Sequence, residues 1–97
     1  MTHNYAMPTQ RKFTLGNVYV TPAAERAIAS ADITVALVRH TRGDWGDVGE
    51  DDRAQNERAL REGGGLMSVF HDRTRAEFWI VTESDRSTTT VLLPDDY

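Results

Sequence analysis

The stretch LMSVFHDRTRAEFWIVTESDRSTTTVLLP, from Leu66 to Pro94, decides the fold. Three strand-like runs lie in it, Leu66–His71, Ala76–Thr82 and Thr88–Leu93, each rich in β-branched and aromatic residues. Asp72–Arg75 is short enough to close a hairpin, and Glu83–Ser87 makes a longer polar turn. Pro94 has no N–H to donate and ends the last strand. Consecutive strands joined this tightly pair antiparallel. Phe78-Trp79-Ile80-Val81 is apolar without alternation, which predicts a central strand covered on both faces.

Upstream, the period changes from two to three or four. Gly63-Gly64-Gly65 stops a helix that starts near Glu50, where Glu50, Asp51 and Asp52 suit the positive end of a helix dipole. Within it Glu57 and Arg61 stand at the favourable i, i+4 spacing, and Arg58 and Glu62 repeat the spacing in the opposite order. Ile33, Ala36, Leu37 and His40 form one stripe of an earlier helix, with Asp32 as its N-cap and Gly43 as its C-cap. Thr21-Pro22 opens a helix over Ala23–Ala31. Phe13 to Val20 reads as a first strand interrupted near Gly16. Residues 1–12 are polar and predict a flexible N-terminal arm. The expectation is one α+β domain over residues 13–97. An N-terminal strand and two to three helices pack on one face of a three- to four-stranded antiparallel sheet.

Composition narrows the function classes. At 97 residues the chain is a single domain with one modest core. It holds no cysteine, which excludes disulfides, thiolate metal sites and a cysteine nucleophile. Its net charge of −4 weighs against direct nucleic-acid binding. No apolar run reaches the length of a membrane span, and Met1-Thr2-His3-Asn4-Tyr5 lacks the order of a secretion signal, so a cytoplasmic, non-membrane protein is expected. His3, His40 and His71 have no metal-ligand spacing, and the triple glycine precedes a strand rather than following one, the reverse of a phosphate loop. Neither a metal nor a cofactor is expected.

Two groups of residues carry chemistry. The first is the acidic segment Asp44, Asp47, Glu50, Asp51 and Asp52, which has no basic residue among its carboxylates and encloses Trp45. Its spacing does not match a calcium loop. It suits a partner-binding surface that meets a basic protein, with Trp45 as aromatic anchor. The second is His40 with Glu83, Arg86 and Ser87. A base, an acid, a cation and a hydroxyl are what a metal-independent ribonuclease needs to activate a 2′-hydroxyl and stabilise a phosphorane. The plainer alternatives are a histidine at a helix C-terminus, a tryptophan folded over the core, and a polar turn bonding its own backbone.

The combination Arg39-His40, Gly43-Asp44-Trp45-Gly46-Asp47, Asn56 and the block from Trp79 to Pro94 resembles a family of short bacterial proteins carried mostly by plasmids and other mobile elements. Members bear names such as "plasmid-related protein" and small "type I restriction enzyme subunit M". The resemblance spans about residues 13–97. The chain departs in having Ser84 where the family has Ala, and Gly63-Gly64-Gly65 where it has one Gly and larger residues. The family supplies no activity, so no residue gains a catalytic role from it. The methyltransferase name is set aside, because such a subunit needs a far larger nucleotide-binding domain. The resemblance implies a gene that travels between bacteria. The expected function is therefore a mobile-element accessory protein that binds a basic protein surface of a nucleic-acid-processing complex. An anti-CRISPR or anti-restriction inhibitor is the leading form. The toxin-type ribonuclease is one alternative. The other is a dimeric maintenance or regulatory partner, paired through Leu66–His71 or Thr88–Leu93.

Overall fold

The computed structural model describes residues 10–97 of the chain. Of the expected flexible arm, residues 1–9 lie outside the described residues, and the Lys12 N–H donates to the Thr41 carbonyl at 2.7 Å. The elements are β1 (Asn17–Val20), α1 (Pro22–Ala27), α2 (Ser30–Thr41), α3 (Glu50–Glu62), β2 (Leu66–His71), β3 (Glu77–Thr82) and β4 (Thr88–Leu92), followed by a 3-10 turn over Pro94–Asp96. The expected α+β class holds, with three helices against a four-stranded sheet of order β1-β4-β3-β2.

Thr21 caps α1 as its position before Pro22 predicts: its hydroxyl oxygen accepts from the Ala24 N–H at 3.1 Å. The helix ends at Ala27, short of the expected Ala31, and α2 begins at Ser30 with Ala29 as N-cap. Asp32 is thus inside the first turn. Its carboxylate binds the Arg73 guanidinium at 2.8 Å and ties α2 to the β2–β3 turn.

Strands β2, β3 and β4 form the expected antiparallel meander. β1 departs from expectation by pairing parallel to β4, from Asn17 opposite Thr88 to Val20 opposite Val91. The reason is connectivity. β1, β2 and β4 all run the same way, and parallel strands need a long crossover. Residues 21–65, with all three helices, supply it.

Burial on β3 alternates, which corrects the expectation of a strand covered on both faces. Phe78, Ile80 and Thr82 are buried, while Trp79 and Val81 are only half-buried. α1 and α2 cover one face alone, where Ala24, Ile28, Ile33 and Ala36 pack on Phe70, Phe78, Ile80 and Val91. A second cluster joins Trp45, Ala59 and Leu66 beneath α3, with Phe13, Val48 and Leu60 at its border. Among the described residues the opposite face of the sheet carries no α-helix.

The two strands expected to pair across a dimer are not free. β4 lies inside the sheet. β2 is an edge, but its outward backbone groups at Met67 and Val69 are occupied. The Asn56 side chain donates to the Met67 carbonyl at 2.8 Å and accepts from the Met67 N–H at 3.1 Å. Two residues on, the Val69 N–H donates to the Trp45 carbonyl, and the Asp47 N–H donates to the Val69 carbonyl. An edge strand left bare would be a template for pairing with another chain, and here it is sealed within the fold.

Candidate functional site

His40 lies in the last turn of α2, on the stripe of Ile33 and Ala36, so helical spacing turns it inward. It is fully buried. Nδ1 lies 2.6 Å from the Ser68 hydroxyl and Nε2 lies 2.9 Å from the Thr82 hydroxyl. The network continues from Thr82 to Thr89 at 2.8 Å and from Thr89 to the Leu15 carbonyl at 2.8 Å. Proton counting orients every bond. The carbonyl can only accept, so Thr89 donates to it; Thr82 therefore donates to Thr89. The Thr82 oxygen must then accept from His40, whose proton sits on Nε2. Nδ1 is left as the acceptor of the Ser68 hydroxyl. Phe13 and Trp45 close the ring in edge-on, with centroids at 5.1 and 5.7 Å. Loss of water pushes the His40 pKa down to about 4, helped by the positive field of Arg86. The imidazole is neutral at pH 7 and has no exposed atom to meet a substrate.

Arg86, half-buried and at φ 63°, is equally committed. Its guanidinium donates to the carbonyls of Gly64 at 2.6 Å, Ala59 at 3.1 Å, Ser84 at 3.1 Å and Glu83 at 3.2 Å. It thereby clasps the β3–β4 turn to the end of α3, where the Ala59 carbonyl also accepts from the Gly63 N–H at 2.9 Å. The Phe13 ring packs against both His40 and Arg86, with the guanidinium carbon 5.8 Å from its centroid. The Ser87 hydroxyl donates to Asp85 at 2.6 Å, and Glu83 is exposed. His40, Glu83, Arg86 and Ser87 do not meet in a cleft: His40 is buried, Arg86 is bonded to backbone carbonyls, and Glu83 and Ser87 are exposed. Histidine and arginine here satisfy buried polar groups that would otherwise be orphaned.

The acidic segment divides in two. Asp44 accepts from Arg39 at 2.8 and 3.3 Å and from the Gly46 N–H at 3.1 Å. The Arg39 guanidinium, first among these, holds its carboxyl below the usual carboxylate range. Trp45, expected as an anchor for a partner, is 0% exposed. Its indole N–H donates to the Glu57 carboxylate at 2.9 Å, and its ring stacks on Phe13. Gly46 must be glycine, because φ is 72° and an added Cβ would meet the Val69 carbonyl oxygen at 2.0 Å. Asp44-Trp45-Gly46 is therefore a structural turn stitched to β2.

The remainder faces solvent. Asp47 accepts from His71 Nδ1 at 2.8 Å on the helix-free side of the sheet. Glu50, Asp51 and Asp52 stand exposed in the first turn of α3, and among the described residues none of the three makes a side-chain hydrogen bond or ion pair. Asp52 borders a shallow cavity of about 170 Å³ together with Val48, Gln55, Asn56 and Met67. Among the described residues no group of three or more acidic, histidine or cysteine side chains is placed to hold a metal. Nor is any helix among them long and apolar enough to cross a membrane.

Sequence reasoning passed over Asn56 as a structural device. Its signal was an amide three and four residues before Ala59 and Leu60, on the inward stripe of a helix that asparagine does not favour. Ser68, Thr82 and Thr89 had a similar signal: hydroxyls at the inward positions of alternating strands. No family model matches the chain, and no curated protein or solved structure matches it either.

Proposed function

We propose that this chain is an accessory protein of a mobile genetic element that acts by binding protein rather than by catalysis. Its target on this proposal is a nucleic-acid-processing complex of host defence, of the CRISPR or restriction kind, and the chain acts in the cytoplasm by occluding a basic channel. The observation that carries the proposal is the set Glu50, Asp51 and Asp52 beside Asp47, the first three exposed and without a side-chain partner among the described residues. Carboxylates with no internal partner keep their field for an incoming molecule and raise its rate of encounter. A net charge of −4 supports a basic protein as that molecule and opposes direct contact with nucleic acid. The family resemblance supplies the setting of a mobile element. Asp44 and Trp45 drop out of the binding set, the one held by Arg39 and the other inside the core.

The test is inhibition of DNA cleavage by purified restriction and CRISPR effector complexes, each assayed with the intact chain and with a variant carrying Asp47→Asn, Glu50→Gln, Asp51→Asn and Asp52→Asn. The expected result is inhibition of at least one complex, weakened by added salt and lost in the variant while its circular dichroism stays that of the parent. Equal inhibition by parent and variant, or none by either across the panel, rejects the proposal.

A further inference from the structure

Among the described residues no α-helix covers the side of the sheet away from α1 and α2, and its centre is apolar, with the C-terminal turn packed at one end through Tyr97. Four strands in register place Met67, Val81, Thr90 and Tyr19 in one row and Val69, Trp79 and the buried Leu92 in the next. Met67, Val69, Trp79, Val81 and Thr90 are half-buried, and Tyr19 is 57% exposed. Trp79 is held in place by Tyr97, at 5.3 Å between centroids, and by the Glu77 carboxylate, which accepts its indole proton at 2.8 Å. Adjacent strands are about 4.8 Å apart, so this surface is on the order of 300 Å². A stable interface buries about 800 Å² on each partner, so the apolar rows need a polar margin to complete them.

The margin is acidic. Asp47 reaches it through His71, whose other nitrogen lies 3.5 Å from Glu77. Asp52 adjoins it where the small cavity opens between α3 and Met67. No lysine or arginine occupies a strand position that alternates onto this face. Interfaces of this anatomy, aromatic at the centre and charged at the rim, match partners of opposite charge. A second copy is the wrong occupant, since it brings another net charge of −4 and sets carboxylates against carboxylates.

We propose that this open sheet face, centred on Tyr19, Val81 and Trp79 and bordered by Asp47, Asp52 and Glu77, is where a basic protein partner with an apolar centre docks. The inference rests on the protein-binding function proposed above and moves the anchor from Trp45 to Trp79 and Tyr19. Rigid aromatic groups on a strand contribute contact area with little loss of conformational entropy, which is why such residues dominate interface energetics.

The experiment titrates the isotope-labelled full chain with a synthetic strand peptide of alternating lysine and valine, and separately with oligolysine of equal length, following backbone amides and the two indole N–H signals. The expected result is that the lysine–valine peptide shifts Tyr19, Val81, Thr90 and the Trp79 indole but not the Trp45 indole. Tyr19→Lys, at an exposed site the fold does not depend on, should weaken that binding about tenfold. Shifts confined to Glu50–Asp52, equal for both peptides and indifferent to Tyr19→Lys, overturn the sheet-face proposal and leave the acidic binding function standing. Binding of neither peptide overturns both. Concentration-dependent shifts of the same amides without peptide identify a second copy as the occupant and overturn the choice of a basic partner.

Discussion

Acid should weaken this fold between pH 6.5 and pH 4 through one residue, His40. In the unfolded chain its imidazole takes a proton near 6.5, and in the fold only at about 4. The sign follows from proton counts. Between those values the unfolded state binds one proton more than the folded state, so lowering the pH favours unfolding. The contribution is complete above about 6.5, shrinks as pH falls, and is gone below about 4. A fall from 6.5 to about 4, at ~1.4 kcal/mol per pH unit, amounts to about 3 kcal/mol. Domains of this size have only about 5–15 kcal/mol in total, so the loss is large. Bond direction reinforces it, because a second proton on Nδ1 would displace the donor hydroxyl of Ser68. Asp32, Asp44, Asp72, Asp85 and Asp96 also favour the fold through lowered pKa values, an effect that starts to be lost at about pH 5 and goes mostly below 3.8, equally in parent and variant, so the His40 signal is read between 6.5 and about 5. The assay is urea unfolding at steps from pH 7.5 to 4.2, followed by tryptophan fluorescence, on the parent and on His40→Asn. The variant should be less stable at pH 7.5 and nearly flat through the window. A parent curve without the fall, or a variant that falls in parallel, would refute the assignment.

Asn56→Ala should cost about 2–3 kcal/mol in chemical denaturation, since it strips both partners from the Met67 backbone, and should raise the tendency to associate as the β2 edge opens. Asn56→Asp keeps the acceptor alone and should recover only part of the loss. Gly46→Ala should cost about 2–4 kcal/mol through its positive φ and the collision with Val69, whereas Gly49→Ala, with nothing within 4 Å, should change stability by less than about 1 kcal/mol. Equal effects at the two glycines would remove the argument for the turn. Arg86→Lys keeps the charge but not the fork of donors that reaches four carbonyls, and should lower the melting temperature by the equivalent of about 1–3 kcal/mol.

The C-terminal meander was legible because β2, β3 and β4 are neighbours in sequence, and their turn residues and β-branched runs act locally. The parallel seat of β1 was not, since it depends on where residues 21–65 deliver the chain rather than on anything in Asn17–Val20. The run Phe78–Val81 misled for a related reason. An apolar residue on an uncovered face and one on a covered face look alike in one dimension. Only the helices' choice of side separates Ile80 from Val81.

The same ambiguity runs through the site. His40, Trp45, Asn56 and Arg86 are the residues whose side chains offer the most chemistry, and each is turned inward or against backbone. Each closes something that an α+β domain of 97 residues cannot close with apolar packing alone. Asn56 and the Trp45 turn seal the β2 edge. Arg86 caps the end of α3. His40 pairs with the hydroxyls of Ser68 and Thr82, and through Thr82 the Thr89 hydroxyl joins the same buried network. Once those tasks are assigned, the α3 carboxylates and the apolar sheet face beside them stand unclaimed. Their contiguity through Asp47 and His71 makes one surface rather than two. The strongly perturbed imidazole is sealed from solvent, and the proposed recognition of a basic protein rests on the exposed aromatic and acidic groups that remain.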